Sequence, residues 1–301
     1  MKVKVQSTVL LFLTAIIWGF AFVAQRVGAD YVGTFTFNGI RFLLGSFSLI
    51  PVILIFEREA ADKKKLLKTF YISLAAGTVL FIAASLQQYG VELTGSAGKA
   101  GFLTGLYTVL VPVFRFLLGK KTSVLTFIGA FFAVGGLFFL CMTGNSVSFG
   151  KGDIVLIIGA VFWAFHILII DKFVNDISPL KFSMMQFFVC GVLSVIGALL
   201  TETVELSSVK AAAVPILYGG IMSVGVAYTC QILGQKHSDP TFASIVFSTE
   251  SVFSAVGGAL LLNEIMTRRG YFGCALIFVG IVLSQINLQQ IKEKFNKKQQ
   301  Y

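Results

Sequence analysis

The sequence is short of charge. Only 13% of its 301 residues are Asp, Glu, Lys or Arg, against roughly 25% in an ordinary soluble domain. So few charges cannot cover a water-facing surface, which excludes a soluble enzyme, a coiled coil or a disordered tail as the whole chain. Cysteine is scarce as well. Cys141, Cys190, Cys230 and Cys274 each lie inside an apolar run, and none forms a CxxC pair. That spacing excludes a zinc knuckle or dithiol redox motif and leaves small apolar filler as their role. The two histidines, His166 and His237, are far apart, which argues against a multi-histidine metal centre. No GxxxxGK[ST] occurs, so nothing points to an ATP-driven pump. No metal and no cofactor is expected, and no nucleophile–base–acid set can be assembled.

What the chain does have is hydrocarbon. Hydrophobic residues make up 56%, including 31 Phe, and the mean hydropathy is +0.86. A helical crossing needs roughly 20 apolar residues, because the bilayer core is about 30 Å thick and a helix rises about 1.5 Å per residue. Apolar runs fall near 7–27, 36–56, 68–88, 96–118, 123–142, 153–171, 179–200, 213–234, 240–262 and 269–288. They do not alternate as barrel strands would, and unsatisfied backbone in lipid is too costly for loops. The predicted fold class is therefore an all-α integral membrane protein with ten transmembrane helices. The first run follows Lys2 and Lys4 but has no small-residue cleavage site, so it reads as a retained span rather than a signal peptide.

The net charge of +10 follows the loops between runs. With an even number of spans, most Lys and Arg gather on one side: Lys2 and Lys4, the 58–68 cluster, Arg115, Lys120 and Lys121, Lys172 and Lys181, Lys236, and the tail 290–301. The positive-inside rule then places both termini in the cytoplasm, and a bacterial cell membrane is expected. No groove-reading element lies between the runs, so a nucleic-acid partner is not expected. The main offender is the pair Arg268–Arg269, which Glu264 is within helical reach to offset.

The chain repeats itself. AIIWGFAFVAQRV (15–27) is echoed by AVFWAFHILIIDK (160–172), with Trp18 and Trp163 in register. LLGKKTSVLTFIGA (117–130) is echoed by LLNEIMTRRGYFGCA (261–275), and Gly129 and Gly136 pair with Gly273 and Gly280. Five spans per half is an odd number, so the second half must insert upside down. Residues 1–144 and 145–289 read as two inverted five-helix repeats followed by a basic tail, the architecture of alternating-access carriers with a midplane site between repeats. Small residues run along one face at Ala97, Gly101 and Gly105 and again at Ser251, Ala255 and Ala259, which allows close helix approach in lipid.

On these motifs the chain resembles the EamA-type branch of the drug/metabolite transporter superfamily. The marks are IIWGFAFV with the following Arg41, GVELTGSAGKAGFLTGLYTVLVPVF (90–114), and STESVFSAVGGALLLNE (248–264) with GYFGCALIFVGIVL (270–283). Together they span nearly the whole chain. One departure is Ser251 after Glu250, where the family often has Pro. The resemblance implies carriage of a small organic metabolite: an amino acid, a nucleobase or an organic cation.

Ionisable groups inside spans are functional-site candidates by default. Glu250 is the sharpest, able to exchange a proton between access states or to hold a cationic substrate, or else to pair with Arg41 or Lys99. Arg41, one turn from Asn38, can grip a substrate carboxylate bidentately or snorkel to an interface. Lys99 lies close to Glu92 and reads equally as an ion pair or a substrate contact. His166, one turn after Trp163, titrates at about pH 6.5 in water and suits a proton-coupled step, or is a hydrogen-bonded packing residue. Trp18, Phe22 and Gln25 share one helix face, as do Tyr228, Gln231 and Gln235. With Gln87, Tyr107 and Trp163 they sketch an aromatic cavity with a few amide and hydroxyl groups.

The expected function is a secondary active transporter for a small molecule, proton-coupled or exchanging, with Glu250 and His166 as coupling candidates. It would act in the lipid bilayer as a monomer or homodimer. The alternatives are a non-transporting receptor or assembly subunit, and a membrane enzyme acting on lipid-linked substrates.

Overall fold

The computed structural model describes residues 2–57, 62–119, 124–143, 146–147, 150–173, 176–235, 243, 246–247 and 249–285. Arg58, Lys120, Lys121, Lys236, His237, Ser248 and the tail 290–301 lie outside these residues. The described chain is helical, apart from a two-residue antiparallel ladder that pairs Met142 with Val147 and Thr143 with Ser146.

The apolar runs become α1 (Lys2–Gly28), α2 (Thr34–Phe56), α3 (Lys63–Thr94), α4 (Ala97–Thr104), α5 (Tyr107–Leu117), α6 (Val124–Cys141), α7 (Lys151–Phe173) and α8 (Pro179–Thr201). After the short α9 (Leu206–Ala211) come α10 (Ala213–Gln235), α11 (Glu250–Leu262) and α12 (Arg268–Gln285). Among the described residues, seven stretches are long and apolar enough to cross a membrane: α1, α2, α3, the α4–α5 unit, α7, α8 and α10. Large apolar side chains such as Phe56, Phe131, Leu200 and Ile265 are exposed, as a lipid-facing surface requires. The chain is a multi-pass membrane protein.

Two departures from simple helices matter for the site. The fourth run is broken at Gly105–Leu106 into α4 and α5. Within α10, Tyr218–Ala227 is wound as a π-helix. Its wider turns point carbonyls at neighbours: Ser223 O accepts from Trp18 Nε1 (3.2 Å), and Ala227 O from Thr14 Oγ1 (3.0 Å). Such segments recur at functional sites. α2 packs on this segment through glycine. A Cβ at Gly45 would meet Val224, and one at Gly219 would meet the Arg41 stem.

The remaining packing is pairwise. α2 lies on α8, α3 on α7 and α8, α6 on α12, α1 on α10 and α11, and α4 on α11. The predicted stripes meet in part in the last pair, at Ser251 and Ala255, while Ala259 is exposed and Ser254 takes its place at the contact. A Cβ at Gly101 would fall on Ser254, and one at Gly105 on Ser251. Between α6 and α12, a Cβ at Gly136 would meet Gly273 O and one at Gly280 would meet Gly129 O.

Helix ends are tied by carboxylates. Glu202, which follows α8, accepts from the amides of Phe35 (2.7 Å) and Thr36 (2.9 Å) and from the Thr36 hydroxyl (2.7 Å), all in the first turn of α2. Glu57, which follows α2, accepts from the amides of Leu180 (3.1 Å) and Lys181 (3.4 Å) at the start of α8. Each carboxylate satisfies orphan N–H donors and meets the positive end of the other helix's dipole. Two ion expectations are corrected here. Lys99 pairs with Asp153 (2.7 Å) rather than Glu92, which instead accepts from Thr34 Oγ1. Residues 263–267 are not helical, so Glu264 has no helical reach toward Arg268–Arg269. It turns to α4 instead.

Losing a cap of this kind leaves buried donors unsatisfied, at about 1–3 kcal/mol. Glu202→Ala is expected to lower the detergent Tm by several degrees, and Glu57→Ala, whose bonds are longer, by less. Thermal scans of the two purified variants check the order.

Candidate functional site

The sequence placed aromatics, amides and two opposite charges on separate helices, and the bundle brings most of them to one place. A cavity lies among α1, α2, α3, the α4–α5 unit, α7, α10 and α11. Its lining includes Trp18, Phe22, Arg41, Gln87, Tyr107, Trp163, His166, Tyr228, Gln231 and Glu250. Asn38 is the one predicted site residue that does not line it. Asn38 is fully buried behind Arg41 and accepts a hydrogen bond from its Nε (2.9 Å).

One wall is aromatic. Trp18 meets Tyr228 edge-on at 4.8 Å between centroids and Phe247 at 5.7 Å. Trp163 meets His166 at 5.9 Å, and His166 meets Tyr228 at 6.5 Å. Trp18 is held by the bond to Ser223 O described above. Trp163 Nε1 has no hydrogen-bond partner among the described residues.

The polar groups are held from behind. Gln87 donates to Gln25 Oε1 (2.9 Å), and Gln88 donates to Gln25 O (3.0 Å), which cross-links α1 and α3. His166 Nε2 and Gln186 Oε1 are 2.9 Å apart. Gln231 Oε1 and Thr104 Oγ1, both on the cavity, are buried without a partner among the described residues. A buried acceptor or hydroxyl left without a partner favours a ligand that supplies one.

Arg41 and Glu250 carry the charge. Arg41 is 3% exposed; its guanidinium lies over the Phe42 ring at 4.7 Å and, among the described residues, bonds to the neutral Asn38. Glu250 is equally buried and accepts from Tyr107 Oη at 2.6 Å. Among the described residues neither is ion-paired, so the pairing of Glu250 with Arg41 or Lys99 is not found. A lone buried charge is expensive in low dielectric unless something completes it.

Gln25, grouped with Trp18 and Phe22 from the sequence, lines the cavity as expected, but several lining residues escaped the sequence reading. Ala21 was signalled by the Trp18 face, and Ile167 by its place beside His166. Thr104 and Ser223 had no such signal, because the break after α4 and the π segment of α10 set their directions. Among the described residues, no cluster of three His, Cys, Asp or Glu is placed to hold a metal ion.

The model of the EamA-like transporter family matches this chain twice, over residues 6–142 and 150–286. The chain belongs to that family. An uncharacterized transporter of Archaeoglobus fulgidus is 28% identical over 92% of this chain and 85% of its own. The transporter YoaV of Bacillus subtilis is 23% identical, covering 92% of this chain and 96% of its own. The inner membrane transporter YedA of Escherichia coli K12 is 23% identical, covering 91% and 88%. A crystal structure at 18% identity superposes with a TM-score of 0.71 over 92% of this chain and 96% of its own, a likeness of fold. The family and its relatives indicate a membrane transporter rather than an enzyme.

Both tryptophans of the chain line the cavity, so its intrinsic emission reports occupancy. A ligand that enters should shift or quench emission in Trp18→Phe and in Trp163→Phe alike. A ligand bound elsewhere would leave both single-tryptophan variants unchanged, and a fluorescence titration separates the two cases.

Proposed function

We propose that this EamA-like transporter is a secondary active carrier of a small zwitterionic metabolite, with an amino acid as the leading class, working by alternating access. The observation that carries this reading is the pair of buried, opposite groups on one cavity, Arg41 and Glu250, neither ion-paired among the described residues. A substrate carboxylate completes Arg41 through parallel N–H donors. A substrate ammonium completes Glu250, and the rest of the molecule lies against Trp18, Tyr228 and Phe247 with cation–π support. The partnerless Gln231 and Thr104 supply further hydrogen bonds. An organic cation alone, or an uncharged nucleobase, would leave Arg41 uncompensated.

The accompanying architecture is ten spans in two inverted repeats, 1–144 and 145–289, with the basic tail following. Three observations support it. The family model matches twice. Glu57 and Glu202 stand 145 residues apart, and so do the amides they cap. Gly119 and Asn263, 144 residues apart, both hold a left-handed backbone after a helix (φ 78° and 53°). In this reading both termini are cytoplasmic in the cell membrane, and one chain holds a complete pathway. Glu250 is also the candidate coupling group: it carries a proton when no substrate ammonium is present and exchanges it at the open face. His166, bonded to Gln186, is the second candidate.

A thermal-shift panel on purified protein tests the substrate class, followed by flux in proteoliposomes. Amino acids should stabilise the parent, and both Glu250→Gln and Arg41→Ala should lose that stabilisation at least tenfold in apparent affinity. Simple amines should depend on Glu250 alone, and weakly. Glu250→Gln should also abolish flux driven by a pH gradient. Stabilisation by zwitterions that survives Arg41→Ala would remove the charge-pair reading, and unchanged pH-driven flux in Glu250→Gln would remove the proton role.

A further inference from the structure

The helix pairs of the bundle are not tied alike. α2 and α8 are clamped at both ends, by Glu202 and by Glu57. Among the described residues, α4 and α11 carry a comparable clamp at one end. There Glu264 accepts from Ser96 Oγ (2.6 Å), Ala97 N (2.5 Å) and Gly98 N (3.1 Å), closing the turn after α11 onto the first turn of α4. The position 144 residues earlier is Lys120. A lysine ammonium has no lone pair to accept from amide donors, so the matching cap at the far end of the pair cannot be made from that position.

Between the ends, the α4–α11 seam is smooth. Gly98, Gly101 and Gly105 face Ala255, Ser254 and Ser251, and Ser251 Oγ donates to Gly101 O (3.0 Å). Small-residue seams of this kind let backbones come close and separate without unlocking interdigitated side chains. One further tie joins α11 to this unit at the depth of the cavity: Tyr107 to Glu250. Glu250 and Glu264 bracket the same 13-residue helix, about 20 Å long at 1.5 Å per residue, so a rigid tilt of α11 moves both.

We infer that Glu264 is the latch of a gate, holding α11 on α4 to close the cavity at the outer face. Opening breaks the three bonds of Glu264 and swings α11 away from α4, while the doubly clamped α2–α8 pair stays fixed. A substrate ammonium that takes Glu250 from Tyr107 removes the mid-depth tie and leaves the latch and the single Ser251–Gly101 bond holding the seam among the described residues. This rests on the reading of the chain as an alternating-access carrier, with the charge bias setting which face is outer.

The test is cysteine accessibility. Thr104, on α4 and lining the cavity, is replaced in Thr104→Cys on a background whose four native cysteines are alanine. Labelling of intact cells by a membrane-impermeant maleimide is compared with labelling by a permeant one. Glu264→Ala should raise the impermeant labelling rate at least fivefold, and Glu264→Gln, which keeps an acceptor oxygen, should raise it less. Glu202→Ala, which removes a cap from the fixed pair, should leave the rate at the parent's value. Gel filtration confirms that each variant is folded. Rates unchanged in both Glu264 variants, while the permeant reagent labels Thr104→Cys, would overturn the latch and leave the carrier reading standing. An equal rise in Glu202→Ala would also overturn it, as general loosening. Failure of either reagent to label Thr104→Cys in any variant would overturn the carrier reading, and the latch with it.

Discussion

A helix that starts within a membrane bundle exposes amide hydrogens that no water reaches, and the way these are satisfied organises this protein. The chain has few charges, and among the described residues it sends three of its carboxylates to the N-termini of helices distant in sequence: Glu202 to α2, Glu57 to α8 and Glu264 to α4. Each bond is charge-assisted and lies along a helix dipole, so it is stronger than a neutral bond. Each also reaches across more than a hundred residues, so it fixes how distant segments stack rather than how one helix forms. Which helices move together follows from which ends are closed.

The cavity depends on the opposite arrangement. Where α2, α10 and α11 meet, polar groups are gathered and left incomplete. The π-wound part of α10 widens its turns, offers Ser223 O to Trp18 and turns Tyr228 toward both Trp18 and His166. Glycines at 45, 219 and 220 let α2 approach this segment closely, with the Arg41 stem packed over Gly219. Arg41 then faces the cavity from one side and Glu250 from another, each supported by a neutral neighbour, Asn38 or Tyr107. A neutral supporter holds a charge in place without cancelling it, which keeps its attraction for a ligand.

Much of this was legible in the residues. The described part of each apolar run is mostly helix, seven stretches of it long enough to cross a membrane, since nothing else satisfies the backbone in hydrocarbon. The matched stripes at Gly101 and Ser251 meet, and Trp18 and Trp163 reach one cavity. What stayed hidden was long-range or broke the helical period. No local pattern told that Lys99 would choose Asp153, 54 residues away, over nearby Glu92. Glu264 was judged by its distance along the chain to Arg268, yet its partners lie at 96–98. The π segment and the break at Gly105–Leu106 rotate side chains away from a 3.6-residue count, so Ser223 and Thr104 could not be assigned to the site in advance. Asn38 was grouped correctly with Arg41 but acts behind it.

The crossed clamps of Glu57 and Glu202 bear on how such a chain can be divided or can have arisen. The donors at the start of α2 are satisfied by a residue of the second half, and those at the start of α8 by a residue of the first. A fragment ending near residue 145 therefore contains one helix end without its acceptor and one acceptor without its helix end. The two clamps tie residues 1–144 to residues 145–285 at both ends of the α2–α8 pair, and neither stretch carries both members of either clamp.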